Sequence, residues 1–307
     1  MKGLKIVRKE IKKHWILYVM ALPAILSQLV FNYIPMAGIV MAFQDLDLRK
    51  GIFSSPFVGL KNFEFLFATT DAWIITRNTV CYNVVFIVLN LCISVVLAII
   101  LSELRSQRYS KCLQTVFIMP HFLSMVVISM VVFAFLSPTN GFVNVVLEQM
   151  GKEPGNWYNT KWIWPFLLVF VYLWKNVGYQ SVVYLAVISG ISEEYYEAAV
   201  LDGATKVQQA RYITIPHLRA IVCINLIMSI GKIFRADFGL FYTVPRDSGS
   251  LYSVTNVLDT YIYRGLMELN NPNMSTAAGV YQSVVGFILV LVANKIVSSI
   301  DSDSAMF

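Results

Sequence analysis

The chain has 307 residues, of which 57% are hydrophobic and 14% charged, and its mean hydropathy is +0.63. That is more apolar residue than one soluble core absorbs, so the chain reads as an all-α integral membrane protein. Its net charge of +6 gathers partly in basic flanks of apolar runs, where it orients the chain and meets membrane lipid, and no nucleic-acid partner is implied.

A span across about 30 Å of hydrocarbon takes roughly 20 apolar residues. Six runs qualify, at about 15–43, 78–101, 112–136, 162–189, 219–237 and 276–297. The basic opening, residues 1–14, leads into a first run that is too long for a signal core and lacks a small-residue cleavage site. It is therefore read as a retained span with a cytoplasmic flank. Six transmembrane helices over 15–297 then place both termini, including the tail 298–307, in the cytoplasm. The connection ELRSQRYSK, with Arg105, Arg108 and Lys111, falls on that side too.

The outer segments are 44–77, 137–161 and 238–275. In VGLKNFEFLF, Leu60, Phe63, Leu66 and Phe67 recur at helical spacing, which predicts a short amphipathic helix on the outer membrane surface. Pro23, Pro35, Pro120 and Pro165 each remove a backbone donor and shape a span. Asn83 and Asn90 share a face of the second span and are expected to bond across helices. Cys81, Cys92, Cys112 and Cys223 have no metal-ligand spacing and read as small apolar residues; His121 reads as a packed histidine.

Between the fourth and fifth spans lies EAAVLDGATKVQQARYITIP. Ser192 can cap a helix whose first turn carries Glu193 and Glu194, acids suited to its positive end. Asp202-Gly203 ends it, since glycine readily takes the left-handed conformation. A second short helix, about Thr205 to Tyr212, follows, and Pro216 begins the approach to the fifth span. Ala198, Ala199, Gly203 and Ala204 leave little bulk at the corner, so another surface can approach the backbone. Spacing alone leaves open whether this is a docking element or a plain surface helix. On the sixth span Gly279, Ser283 and Gly286 form a small-residue face, read as packing within the chain or against a second subunit.

The stretch closely resembles the EAA loop of permeases of binding-protein-dependent (type I) ABC importers. Glu197, Ala198, Ala199, Asp202, Gly203, Ala204, Ile213, Ile215 and Pro216 match the pattern, while Ala210 stands where an aromatic residue is common. FVGLKNFEFLF is similar to the outer segment of carbohydrate-type permeases. The segment IFRADFGLFYTVPRDSGSLYSVTNVLDTYIYRGLM is similar to the LplB-like, polysaccharide-type branch. The resemblance implies a permease subunit of the bacterial cytoplasmic (inner) membrane that moves a carbohydrate, an oligosaccharide, by alternating access. Its partners would be a second permease, two cytoplasmic ATPase subunits gripping the loop 191–216, and an extracellular sugar-binding protein. No G-x-x-x-x-G-K-[ST] loop occurs in the chain, so it is read as a non-enzyme that binds no cofactor, with ATP and Mg on the partner subunits.

Sugars are held by hydrogen-bonding groups against aromatic faces. Trp174, Lys175, Tyr179 and Gln180 on the fourth span, with Asn225, Ser229 and Lys232 at i, i+4 and i+7 on the fifth, are the expected pathway residues. Arg235 and Asp237 continue outward. The competing structural roles are a Lys232 pair with Asp237 or lipid phosphate, and Lys175 against a partner subunit. Buried cations here would also suit an acidic oligosaccharide such as a uronate. The alternative function, a secondary ion-coupled transporter, would show two repeated halves and paired broken helices, and neither is evident. An embedded enzyme would need convergent ligands or nucleophiles, whereas His14, His121 and His217 are scattered.

Overall fold

A computed structural model describes residues 13–47, 49–52, 54–64, 69–104 and 106–300, with side chains as far as residue 295. Residues 1–12 of the basic opening, Leu66, Phe67, Arg105 and residues 301–307 of the tail lie outside the described residues. The long elements are α1 (Trp15–Phe43), α2 (Thr70–Ser102), α3 (Gln107–Phe122), α4 (Met125–Leu136), the short α5 (Phe142–Gln149), and α6 (Trp164–Ile188). They are followed by α7 (Glu193–Leu201), α8 (Lys206–Ile230), α9 (Leu258–Met267) and α10 (Pro272–Ile300). Among the described residues five helices are long and apolar enough to cross a membrane, and a sixth span results if the bent pair α3 and α4 counts as one. Among the described residues the only β pairing is an isolated bridge between Gln44 and Phe57.

Three expected boundaries shift. The second span begins at Thr70 rather than 78, with Asp71 in its first turn where the helix dipole favours an acid. The third is broken: α3 ends in a 3-10 turn containing Pro120, Ser124 caps α4 through the Val127 N–H, and the two limbs meet at 96°. The fifth is longer inward and shorter outward than 219–237. No separate second loop helix exists, because α8 runs unbroken from a Thr205–Gln208 capping box to Ile230. A π turn over Ala210–Thr214 carries the helix past Pro216, and His217 Nδ1 donates to the Ile213 carbonyl at 2.7 Å.

Packing in lipid gains little from hydrophobicity between helices and depends on close contact. Among the glycines the closest approach is α6 against α3, where a Cβ on Gly178 would overlap the Phe117 carbonyl. Gly279, expected to make such a contact, has open space where a Cβ would stand, and Ser283 returns its hydroxyl to the Gly279 carbonyl at 2.9 Å. Toward the end remote from the α7–α8 corner, α2, α4 and α6 share a core with the segment after α8. There the Phe86 and Tyr172 rings stack at 3.9 Å, and Trp164 is fully buried. Aromatic pairs of this kind are worth about 0.5–1.5 kcal/mol beyond their burial. A second core of Ala98, Tyr184, Ile188 and Leu218 joins α2, α6 and α8 nearer the corner.

The first helix buries no residue of its apolar window, and its last turns, Ala37–Phe43, pack against α10. Its far end is held by Asn62, which donates to the Ala42 and Gln44 carbonyls at 3.0 and 2.7 Å, while the Phe63 ring lies against Phe43. The described part of the expected amphipathic helix is one 3-10 turn, Lys61–Phe63.

Candidate functional site

The corner between α7 and α8 is built as its residues dictate. Ser192 accepts the Glu194 N–H, and Glu193 and Glu194 occupy the first turn of α7. Gly203 takes φ +79 with nothing within 4 Å of a would-be Cβ, so its constraint is conformational and not steric. The Ala204 N–H reaches back to the Ala199 carbonyl at 2.8 Å and closes the turn.

The corner displays apolar side chains: Leu201 is 88% exposed and Val207 77%. It is braced from behind by Lys206–Glu103 at 2.8 Å, by Tyr196 Oη against Thr214 Oγ1 at 2.9 Å, and by the buried Gln209. The ion pair is mostly exposed, and such pairs contribute only about 0–1 kcal/mol.

A cavity of about 690 Å³ lies among α2, α3, α6, α8 and the segment following α8. From α6 come Tyr172, Asn176, Tyr179, Gln180 and Tyr184, spaced along one helical face. From α8 come Asn225 and Ser229. Lys232, Arg235 and Asp237 also line it, but from non-helical backbone, since α8 stops at Ile230. Tyr179, Gln180, Asn225, Ser229 and Lys232, five of the expected pathway residues, thus line one cavity.

Trp174 and Lys175 are not in the lining. The Lys175 ammonium instead donates to the His121 carbonyl at 2.9 Å and to the Leu123 carbonyl, two acceptors left open where α3 breaks. Lys232 makes no ion pair with Asp237, and neither the Lys232 nor the Arg235 side chain has a hydrogen-bond or ion-pair partner among the described residues.

Several lining residues carry no pathway signal of their own in the sequence. His121 stacks on Tyr179 at 4.4 Å and 9°, with its Nδ1 buried and unpartnered. Asn83, expected to bond across helices, instead donates to the Ile233 and Arg235 carbonyls of the non-helical segment after α8, at 2.8 and 3.2 Å, and it also borders the cavity. Asn90 leaves its carbonyl oxygen unpartnered in the lining. The available signal was an asparagine pair at i and i+7 on an otherwise apolar span, since polar groups there need a partner or a cavity.

Beyond the cavity, Asp259 on α9 accepts the Ala236 N–H at 2.7 Å and the Gln282 amide at 3.1 Å. Burial pushes its carboxyl above the usual carboxylate range, outweighing those two donors. The site is therefore a polar, aromatic-walled chamber with cations on one rim, suited to a hydroxyl-rich solute.

The model of the family "Binding-protein-dependent transport system inner membrane component" matches residues 94–301. The polygalacturonan/rhamnogalacturonan transport system permease protein YteP of Bacillus subtilis is 33% identical over 281 residues, covering 91% of this chain and 87% of the relative. Protein LplB of the same organism is 30% identical over 303 residues, covering 98% and 94%. Among solved structures, a chain of a bacterial ABC transporter involved in the import of the acidic polysaccharide alginate superposes with a TM-score of 0.87 at 31% identity. It covers 96% of this chain and 99% of that one. A second structure of an alginate ABC transporter, in complex with an alginate pentasaccharide-bound periplasmic protein, gives a TM-score of 0.84 at 31% identity, covering 95% and 97%.

Proposed function

Because the chain belongs to the binding-protein-dependent transport system inner membrane component family, a family of multi-pass inner-membrane transport permeases, we propose that it is the permease subunit of an ATP-driven oligosaccharide importer. The observation that carries this reading is the continuity of α8. One helix bears the α7–α8 corner at Lys206 and the cavity residues Asn225 and Ser229 near its other end. At 1.5 Å per residue these lie about 30–35 Å apart. A push on the corner is passed along this one helix to the cavity wall.

The mechanism follows from that continuity. Two cytoplasmic ATPase subunits each grip the corner of one permease, here Glu197 to Ala204 with Ile213 and Pro216 behind it. The exposed Val200, Leu201 and Val207 supply the apolar contact that an ATPase cleft would bury. ATP-driven closure moves this corner with that of a second permease and switches the cavity between its two sides. An external binding protein delivers the sugar, in keeping with the binding-protein complex of the alginate transporter. Tyr179, Gln180, Asn225, Ser229 and Lys232 offer ring faces and hydrogen bonds to the sugar. ATP and Mg are held by the partner subunits, and both termini of this chain lie in the cytoplasm. The polyuronide names of relatives and the unpaired cations of the rim support an acidic oligosaccharide as the cargo.

Gly203→Pro tests the coupling. Proline fixes φ near −65°, whereas this position has φ +79, so the corner is rebuilt while the spans are untouched. In the reconstituted complex, sugar uptake is expected to fall at least tenfold per ATP hydrolysed, with normal membrane insertion. Normal uptake by a well-inserted variant contradicts the coupling role.

A further inference from the structure

Four successive residues after α8 each have a backbone group held by a side chain from another element. Asn83 of α2 takes the Ile233 and Arg235 carbonyls, Gln282 of α10 takes the Phe234 carbonyl, and Asp259 of α9 takes the Ala236 N–H. Non-helical backbone at membrane depth is tolerated where it lines a cavity and its groups are satisfied, and here each residue from 233 to 236 has one backbone group held in this way. A segment clamped from three sides does not wander, so it presents its side chains in fixed directions. Those reaching the cavity are Lys232, Arg235 and Asp237.

Asp237 is already engaged, since its Oδ1 accepts the Leu240 N–H at 3.1 Å. Asp259, the acid whose field reaches Arg235, spends one oxygen on Ala236 and Gln282. The guanidinium and ammonium groups are left without a hydrogen-bonded anion among the described residues. A planar guanidinium fork and an ammonium point charge lining one cavity are groups that suit a carboxylate.

Resting on the importer reading above, we propose that the clamped segment 231–237 is a carboxylate subsite. Arg235 binds a uronate carboxylate, Lys232 supports it, and Gln282, which is outside the cavity lining, acts as a positioning residue through the Phe234 carbonyl. The subsite sets the preference for acidic over neutral sugars, while the rest of the chamber serves hydroxyls common to both.

The test uses the complete reconstituted transporter with its binding protein, and two probes: mixed hexuronate oligosaccharides, and the same mixture after its carboxyl groups are reduced to neutral alcohols. Wild type is expected to prefer the acidic mixture. Arg235→Gln should raise KM for it about 10- to 100-fold, the worth of a charge-assisted bond, and so lower the acid-to-neutral uptake ratio. Arg235→Lys should recover part of the loss. Gln282→Leu should lower the acid-to-neutral ratio in the same direction. An unchanged ratio in Arg235→Gln, or equal loss of both probes, overturns the subsite while leaving the importer intact. Uptake of neither mixture by wild type, together with ATP hydrolysis unresponsive to both, overturns the importer reading and the subsite with it.

Discussion

Lys175 shows how one side chain in a membrane can serve structure when its position suggests transport. A charge at mid-span is expected near a cavity or partner, and here it satisfies the carbonyls freed at the break between α3 and α4. Lys175→Met should therefore act on stability first. It leaves two carbonyls without their donor at about 1–3 kcal/mol, measurable as a lowered melting temperature of the detergent-solubilised complex. Uptake per folded complex should fall less than for Arg235→Gln, because Lys175 does not line the chamber. The polar character of WKNVGYQ was legible in the sequence. Which of its residues face the chamber depends on the rotation of α6, and that is set by Gly178 lying against Phe117. For the same reason Tyr179 and Gln180 line the chamber and Trp174 does not. His121 was read as packed because a lone histidine carries no periodicity, and only the stack on Tyr179 brings it to the wall.

Among the elements, the break in the third span and the early end of the fifth determine the chamber. Pro120 marks the first without giving its angle, and around the second the apolar Ile230, Ile233 and Phe234 continue past Gly231 and Lys232 while the backbone leaves the helix. The corner was far more legible. A capping serine, two acids in the first turn and an Asp-Gly stop are local signals, and local chemistry decides there.

The contact of α6 with α3 gives a prediction at this scale. Gly178→Val inserts a branched side chain where even a Cβ would meet the Phe117 backbone, and backbone cannot step aside as a flexible side chain can. Destabilisation of at least about 1–3 kcal/mol is expected, seen as loss of the folded complex in size-exclusion profiles, whereas Gly279→Ala at an open position should be silent in the same assay. Equal behaviour of the two variants would mean that α3 and α6 do not approach as described.

At the scale of the molecule, the chain presents surfaces that it does not itself cover. The first helix buries no residue of its apolar window, Gly279 on α10 faces open space, and Leu201 and Val207 project from the corner. Length and hydropathy were enough to read an all-α membrane protein, and the residues of the corner were enough to read its family. What composition could not supply is the division of labour between one continuous helix and a clamped, cation-bearing turn beyond its end.

The central claim, that the corner is where ATP-driven force enters, is tested by purifying the tagged chain gently from its native membrane beside a variant with residues 197–204 scrambled. The account predicts an ATPase recovered with the native chain and lost with the scrambled one, with a second permease held by both. An ATPase retained equally by both, or recovered with neither while the second permease remains, would contradict it.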